Sequence, residues 1–313
     1  MSSVPVFTGR DVEAAVSPER AVEAVRAAFV AHARGEWLMP PKVYVTNYPA
    51  GDFRAMPALG GGHALLKWVT SFPGNASRGL PTVSGIVLVS DAETGELRAV
   101  LDAASVTALR TGAAAVLAAE VLGRADASSA AVIGAGVNGR AAAKTFLARG
   151  RGVSLWDVDL ARAQAAAEEL GADVASSLED ALAADLLVTV TPGHEPLLRD
   201  DTLSPGQHVS LMGADGPGKA EATDGALQRA RLFADEWEQA SHGGELAHAV
   251  EAGLVRRDDV TQLGTVLAGD AVGRRSDDEI TAFDSTGLAI QDLAIALVAL
   301  ERSDELELAA LRL

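Results

Sequence analysis

The sequence predicts an α/β protein, and three observations support this prediction. Apolar runs of strand length alternate with helical stretches through the second part of the chain. A glycine-rich turn at residues 134–139 joins one of these runs to a helix. The chain has 313 residues, of which 48% are hydrophobic, and this is enough for two domains with separate cores.

The first part of the chain predicts a mixed domain of helices and strands. Apolar residues recur at helical spacing over residues 11–34, and Pro18 marks the start of a second helix there. A long alanine-rich helix is expected at residues 102–122. Between these helices, strand-like runs occupy residues 42–46, 53–57, 64–70, 82–90 and 97–101.

The second part predicts a doubly wound parallel sheet, because strands and helices alternate along it. A last apolar helix at residues 287–300 is expected to return to the first domain. We therefore predict one domain from residues 1–116 plus 288–313 and another from residues 117–287. The strands of the second domain are expected at residues 130–133, 153–156, 185–191, 207–213, 231–235 and 279–283.

The turn that follows the first of these strands has the pattern of a dinucleotide site. Gly134 permits the tight turn, Gly136 lets backbone approach a pyrophosphate, and Gly139 lets the helix pack close to the strand. The helix N-terminus offers N–H groups and a positive dipole end to phosphates. Asp157 ends the second strand, where a carboxylate binds the adenosine ribose and favours NAD over NADP. The alternative is an ordinary βαβ unit with a glycine turn.

Composition excludes several function classes. The net charge of −17 argues against nucleic acid and anionic membrane as partners. We expect no membrane span, because no apolar run reaches about 18 residues, and no signal peptide at the N-terminus. The absence of cysteine excludes disulfides, thiolate metal sites and a cysteine nucleophile. A cytoplasmic protein is expected.

Lysine occurs only at Lys42, Lys67, Lys144 and Lys219. Lys67 interrupts an apolar strand and shares a face with Leu65 and Val69, the expected inner face. A buried lysine pairs with an acid or loses its proton, which suits an acid/base group or a carboxylate clamp. The alternative is an edge-strand lysine that reaches solvent.

Other polar residues are weaker candidates. Arg110 lies in an apolar helix, where it could bind a carboxylate or phosphate, or form an internal ion pair. Arg54 and Lys42 could add to a cationic pocket or be exposed. Thr191 ends one predicted strand and Asp215 follows another, at the sheet edge where ligands bind in such folds. Asp215 could also be a turn residue. No metal site is expected, because His242 and Glu245 lack a third ligand at metal spacing.

The sequence resembles the ornithine cyclodeaminase/mu-crystallin family over nearly its whole length. Within that family, it is most similar to members that dehydrogenate alanine. The motifs that carry the resemblance are MPPKV (39–43), RAMP (54–57), LKWVTSFPGN (66–75), LRTGAA (109–114), GAGVN (134–138), GADGPGKAE (213–221), DEWEQASHGGE (235–245) and FDSTGLAIQD (283–292).

The resemblance implies a Rossmann dinucleotide-binding domain, with NAD as cofactor, inserted in an α+β dimerisation and substrate domain of a homodimer. It implies that Lys67 exchanges protons with the substrate, that Arg110 lies near cofactor and substrate, and that Asp215 is an acid/base group. Substrate binding is expected from Lys42, Arg54 and Lys67. The expected cofactor-binding residues are Thr82, Arg110, Thr111, Gly134, Gly136, Val137, Asn138, Asp157, Thr191, Lys219 and Ser285.

The activity implied by the resemblance is NAD-dependent reductive amination of pyruvate with ammonia to L-alanine, and its reverse. Ornithine cyclodeamination, another imine or ketimine reduction, and non-catalytic NAD binding are the alternatives. Arg54 stands where the cyclodeaminases resemble one another in having an acid that faces the distal ammonium of ornithine. Because a cation repels that ammonium, ornithine is disfavoured. Lys42 stands where those enzymes have arginine.

The surplus of acidic residues and the scarcity of lysine predict adaptation to high salt, where screening removes self-repulsion. The alternative is a GC-rich genome that favours Arg and Ala. We expect the melting temperature and the activity to fall when KCl is lowered from molar to low concentration. Thermal unfolding followed by circular dichroism across a KCl series measures this. Full stability in low-salt buffer would contradict it.

Overall fold

The computed structural model describes residues 3–193, 195–214, 216 and 218–312. The chain divides into two compact units, Met1–Arg110 with Leu288–Leu313, called unit 1, and Thr111–Gly287, called unit 2. The division falls inside the long alanine-rich helix, slightly before the predicted position at residue 116. Each unit has its own sheet.

Unit 1 begins with a short strand and two helices, and a run of antiparallel strands follows. Pro18 starts the second helix, and the Ser17 side chain accepts a hydrogen bond from the backbone N–H of Arg20 at 3.4 Å. The elements up to residue 122 are β1 (Ser3–Phe7), α1 (Gly9–Ala15), α2 (Pro18–Ala33), β2 (Val43–Asn47), β3 (Gly51–Gly60), β4 (His63–Ser71), β5 (Val83–Asp91), β6 (Leu97–Asp102) and α3 (Ala103–Leu122).

Unit 2 contains the predicted alternation of strands and helices, and the chain then returns to unit 1. The elements of unit 2 are β7 (Ala130–Ile133), α4 (Val137–Ala148), β8 (Ser154–Trp156), α5 (Leu160–Leu170), β9 (Asp173–Val174), α6 (Leu178–Leu182), β10 (Leu186–Thr189), β11 (His208–Leu211), α7 (Asp224–Arg229), β12 (Arg231–Ala234), α8 (Trp237–Gly243), α9 (Ala247–Glu251), β13 (Val260–Gln262), α10 (Leu263–Ala268) and β14 (Thr281–Asp284). The last helix and strand, α11 (Ala289–Glu301) and β15 (Ala309–Arg312), belong to unit 1.

The sheet of unit 1 has seven strands in the order β15-β1-β6-β5-β4-β3-β2. Strands β2 to β6 form an antiparallel meander, and side chains along the central part of β4 alternate between a buried and a more exposed face. Helix α11 packs against α2, β3 and β4. The buried face of β4 therefore carries Leu65, Lys67 and Val69, as its alternation predicted.

The sheet of unit 2 has eight parallel strands in the order β13-β12-β14-β11-β10-β7-β8-β9. From the central β7 the chain first moves to β8 and β9, and later resumes on the opposite side at β10 and β11. This reversal is the switch point at which doubly wound folds bind ligands, outside the carboxyl ends of the strands. The predicted fold class, an inserted Rossmann domain in an α+β domain, is confirmed.

The sequence prediction missed some elements and misjudged one. The short strands β1, β9, β13 and β15 were not predicted. Helix α3 corrects the expectation about membrane spans, because its 20 residues are long and apolar enough to cross a membrane by length and composition. However, 67% of its most apolar window is buried inside the protein, as in the core helices of folded domains.

A carboxylate ties the start of β7 to the start of β10. Asp185 accepts hydrogen bonds from the backbone N–H groups of Ser128 and Ser129 at 2.8 and 3.0 Å, and from Arg124 at 2.9 Å. Burial raises the pKa of Asp185, but the hydrogen bonds from the two serines outweigh burial and lower it to about 2, from 3.8. The charged form of Asp185 is therefore the form that stabilises the fold.

We expect Asp185→Ala to lower the free energy of unfolding at neutral pH by about 1–3 kcal/mol, because the two backbone N–H groups and the Arg124 guanidinium lose the charged acceptor that they share. Because the folded pKa lies below 3.8, this contribution is complete above that pH and is lost as the pH falls through about 2. Urea unfolding at several pH values measures it, with the exposed Asp201→Ala as control. Equal stability of the two variants at pH 7 would contradict the role.

Candidate functional site

At two of its three positions, the glycine turn of unit 2 leaves no room for any residue other than glycine. Gly134 has φ +107°, which disfavours any side chain, and its N–H donates to the carbonyl of Trp156 at 2.8 Å. A Cβ on Gly139 would lie 1.7 Å from the carbonyl oxygen of Gly134. Helix α4 therefore packs against the turn at a distance that only glycine allows.

The third glycine faces open space. A Cβ on Gly136 would meet nothing within 4 Å, and Gly136 is the N-cap of α4 without a side-chain capping bond. In the first turn of α4, Val137 is exposed and Asn138 is half-buried. An uncapped helix N-terminus beside open space fits the phosphates of a dinucleotide, because backbone N–H groups and the helix dipole both favour an anion.

Asp157 lies beside this turn and helps to hold it. Its carboxylate accepts hydrogen bonds from the backbone N–H of Ala135 at 2.8 Å and of Asp159 at 2.9 Å, and lies 3.5 Å from the Arg162 guanidinium. A carboxylate can accept about four hydrogen bonds, so acceptor capacity remains for ribose hydroxyls. The ribose role of Asp157 stays a prediction, and the turn-holding role is one that the sequence did not reveal.

Thr191 and Ser285 bind carboxylates of the protein itself. The backbone N–H and hydroxyl of Thr191 donate to Glu221 at 2.7 and 2.8 Å. The hydroxyl of Ser285 donates to Asp235 at 3.3 Å. Their predicted cofactor contacts therefore have to be made alongside these internal bonds, by backbone groups or by remaining lone pairs of the hydroxyl oxygens.

Three buried acids, Glu221, Glu245 and Asp284, lie near Thr191 and Ser285. Burial raises the pKa of Glu221, although Thr191 and Gly213 donate to its charged form. Burial and the charge of Glu221 raise the pKa of Glu245 to about 8. Burial also raises the pKa of Asp284 well above its usual value. Some of these acids therefore carry a proton at neutral pH, which limits their mutual repulsion.

The remaining predicted cofactor residues are placed as follows. Thr111 is buried with a hydroxyl that has no partner among the described residues. Thr82 is exposed before β5, and Lys219 is half-buried in the loop after β11. Asp215, the predicted acid/base residue of that loop, lies outside the described residues. The cofactor roles of Thr82, Thr111 and Lys219 stay predictions.

The candidate chemistry of unit 1 centres on Lys67, whose side chain is 2% exposed. Its ammonium donates to the hydroxyl of Thr107 at 2.6 Å and to a carboxylate oxygen of Asp292 at 2.9 Å. Burial lowers the pKa of Lys67, and the nearby charges of Arg110 and Arg54 lower it further, whereas Asp292 raises it. Lys67 is therefore buried as predicted, and it is not an edge-strand lysine that reaches solvent.

Arg110 shares the same acid. Its Nε lies 3.7 Å from the carboxylate oxygen of Asp292 that binds Lys67, and that Nε has no hydrogen-bond partner among the described residues. The internal ion pair considered for Arg110 therefore exists. The buried Nε–H of Arg110 still lacks a hydrogen-bond acceptor among the described residues, and an oxygen atom of a substrate can accept its hydrogen bond.

Arg54 lies on the inner face of β3 with its own acid. Its Nε donates to Asp52 at 2.6 Å, and its guanidinium stacks 5.4 Å from the centre of the Tyr44 ring. Lys42 lies immediately before β2 and is half-buried. The structure thus brings Arg54, Lys67 and Arg110 into one unit and gives each a carboxylate partner.

Sequence reasoning missed the residues that support the predicted ones. Asp292, Thr107, Asp52 and Glu221 were not proposed as functional. A signal was present for Asp292, because it is a lone acid in the apolar stretch of α11, just as Arg110 is a lone cation in α3. Within the described part of the chain, no group of three or more His, Cys, Asp or Glu side chains could hold a metal ion.

Comparisons with known proteins show what the chain is similar to. Residues 5–307 match the model of the ornithine cyclodeaminase/mu-crystallin family. Alanine dehydrogenase of Archaeoglobus fulgidus is 41% identical over 311 residues, covering 95% of this chain and 94% of that protein. Iminosuccinate reductase of Paracoccus denitrificans is 35% identical over 315 residues, covering 95% of each. An archaeal alanine dehydrogenase dimer with bound NAD superposes with a TM-score of 0.94 and 40% identity, covering 99% of both chains.

Two glycine substitutions separate binding from folding at the turn. We expect Gly136→Ala to keep the melting temperature and to weaken NADH binding by about 10- to 100-fold, because an intruding methyl group costs about 1–3 kcal/mol. Gly139→Ala is expected to lower the melting temperature, because its Cβ has no room. Calorimetric titration and thermal unfolding measure the two effects. Normal NADH affinity of Gly136→Ala would contradict phosphate binding at this turn.

Proposed function

We propose that this chain, which belongs to the ornithine cyclodeaminase/mu-crystallin family, is an NAD-dependent alanine dehydrogenase that interconverts L-alanine with pyruvate and ammonia. The observation that carries the proposal is the buried cluster of Lys67 and Arg110 around Asp292 in unit 1. This cluster offers N–H donors to an anionic substrate and one group that can exchange a proton. The 41% identity to an alanine dehydrogenase supports the choice of substrate.

The turn after β7 is the proposed site of NAD, whose nicotinamide accepts or supplies the hydride. Gly136 leaves room for the pyrophosphate, and the N-terminus of α4 binds it. Asp157 is proposed to bind the adenosine ribose. An archaeal alanine dehydrogenase that this chain resembles over 99% of its length holds NAD.

Lys67 is proposed to bind the carbonyl oxygen of pyruvate and to donate a proton when that oxygen leaves as water during imine formation. In the reverse direction the neutral amine accepts a proton from the attacking water. Arg110 is proposed to bind the substrate carboxylate through its free Nε–H. Asp215 is proposed to assist proton transfer.

A second candidate, the reduction of a dicarboxylic imine such as iminosuccinate, is favoured by Arg54 and Lys42. Both are cations of unit 1 that a second substrate carboxylate would neutralise. A reductase of iminosuccinate is 35% identical to this chain. The carboxylate of Asp52 already pairs with Arg54, which weakens this second attraction and leaves alanine as the first choice.

We also propose that the protein is a homodimer formed through the outer face of the unit 1 sheet. Val43 on β2, Ala55 on β3, Trp68 on β4 and Ile86 on β5 lie side by side across the sheet. The three larger side chains, those of Val43, Trp68 and Ile86, are 57%, 38% and 45% exposed. Leu66 on β4 belongs to the same face. Continuous apolar surface of this kind marks an interaction site, and a relative of this chain forms a dimer.

The proposed function is tested by NADH oxidation, followed by absorbance, with ammonia plus pyruvate or with ammonia plus oxaloacetate, and by incubation with NAD and L-ornithine. We expect pyruvate to give the higher kcat/KM. A preference for oxaloacetate would favour the dicarboxylic imine reductase. Proline formation from ornithine without net NADH would favour the cyclodeaminase. NADH binding without any turnover would leave only the non-catalytic alternative.

Lys67→Ala is expected to lower kcat by about 10²–10⁴-fold, the range for loss of a general acid or base. NADH affinity should remain, because the cofactor is proposed to bind unit 2. Steady-state kinetics and NADH fluorescence titration measure both quantities, with Lys144→Ala as a control lysine remote from the proposed cluster in sequence. Near-normal turnover of Lys67→Ala would exclude the acid/base role.

Leu66→Glu is expected to shift the protein from dimer to monomer, because a charge on the proposed interface must be desolvated without a partner. Leu254→Glu in unit 2 is a matched control, since Leu66 is 40% exposed and Leu254 is 45% exposed. Light scattering after size-exclusion chromatography measures the mass of each. A Leu66→Glu protein that stays dimeric, or a wild-type monomer, would contradict this interface.

A further inference from the structure

Asp292 is the carboxylate on which the cations of unit 1 converge. It lies in the first turn of α11, and its side chain is 0% exposed. One of its oxygens accepts from Lys67 at 2.9 Å and lies 3.7 Å from Nε of Arg110. The other oxygen is buried and has no partner among the described residues. Burying a charged carboxylate costs free energy unless cations or hydrogen-bond donors pair with it.

Thr107 restricts how Lys67 can bind. The Thr107 hydroxyl donates its hydrogen to the carbonyl oxygen of Ala103 at 2.6 Å. It can therefore only accept the bond from the Lys67 ammonium at 2.6 Å. Since an ammonium has three protons, two are directed to Thr107 and Asp292, and one has no acceptor among the described residues.

The charges around Lys67 make Asp292 the residue that keeps its proton in place. Burial favours neutral Lys67, and the positive charges of Arg110 and Arg54 act in the same direction. The charge and hydrogen bond of Asp292 act in the opposite direction. Arg54 forms an ion pair with a different acid, Asp52. Among the described acids, Lys67 pairs only with Asp292.

We propose that Asp292 is a positioning residue that acts through Lys67: it fixes the ammonium against α11, keeps it protonated, and so leaves one N–H of Lys67 to bind and protonate the substrate. The proposal rests on the proposed function, because it needs Lys67 as the proton donor. A buried ion pair with a purely structural role is the competing explanation. The two explanations differ in what they predict for the proton on Lys67.

The scarcity of lysine makes that proton measurable without catalysis. The chain has four lysines, Lys42, Lys67, Lys144 and Lys219. Protein labelled with ¹³C at the lysine Cε position therefore gives few signals, and Lys67→Arg identifies the one from Lys67. Its chemical shift against pH reports when Lys67 loses its proton, whether or not the enzyme turns over.

The experiment compares wild type, Asp292→Asn, Asp292→Glu and the control Glu301→Gln, which removes an exposed carboxylate from the same helix. For Asp292→Asn we expect Lys67 to titrate at lower pH than in wild type, because the two arginines remain and the acid is gone. The limb of the kcat/KM profile that reports protonated Lys67 should move in the same direction. At neutral pH, kcat should fall by about 10²-fold, as for a misplaced catalytic group.

Asp292→Glu retains the charge but moves it, so it should keep the wild-type titration of Lys67 and still lose kcat. It also decides the question if Asp292→Asn does not fold: reduced kcat at a wild-type melting temperature supports the proposal, and wild-type kcat, or a loss of kcat only at temperatures where the variant unfolds, overturns it. In a folded Asp292→Asn protein, an unchanged Lys67 titration with a uniformly lower kcat at all pH values would overturn it in favour of a structural ion pair.

Failure of the proposed function gives a different result. If wild type oxidises no NADH with any of the substrates named above, the proposed function is wrong. In that case an acid shift of the Lys67 signal in Asp292→Asn still establishes the coupling between the two residues. If wild type is active but the signal and the profile do not move, only the role of Asp292 is wrong.

Discussion

The buried ion pair between Lys67 and Asp292 is the interaction on which the candidate active site of unit 1 depends. It joins β4 to α11, which are 225 residues apart in the chain. Removing one partner of such a pair is costly, about 3–5 kcal/mol, because the other charge stays buried. Helix α11 is therefore tied to the sheet of unit 1 by this pair, and its return to unit 1 after unit 2 brings Asp292 to Lys67.

The glycine turn of unit 2 illustrates how one short motif meets two opposite demands. Gly139 lets α4 lie against the turn, and Gly136 keeps space free beside the helix N-terminus. The same pattern of residues thus provides both tight packing and an open anion site. Asp157 adds a bond to the backbone of Ala135, so that the acid proposed to bind the ribose also fixes the shape of the turn.

Both units stabilise functional groups by pairing them with buried carboxylates. Asp52 and Asp292 hold the cations of unit 1, and Glu221 holds Thr191 at the end of β10. Burial alone would favour neutral acids. Burial raises the pKa of Glu221, and burial together with the charge of Glu221 raises the pKa of Glu245 to about 8, although both acids accept hydrogen bonds from backbone N–H groups. This acidic chain thus places some of its carboxylates in the interior, next to residues that are proposed to bind ligands.

The sequence by itself determined the fold class, the order of most elements, the dinucleotide turn and the burial of Lys67, because these depend on local periodicity, glycine spacing and strand alternation. It did not reveal β1, β9, β13 or β15, which are short and gain stability from neighbouring strands. Only the tertiary structure decided that Asp292, Thr107 and Arg110 surround Lys67, since no local pattern encodes a contact across 225 residues. It also decided that α3, apolar enough for a membrane, is mostly buried within the protein.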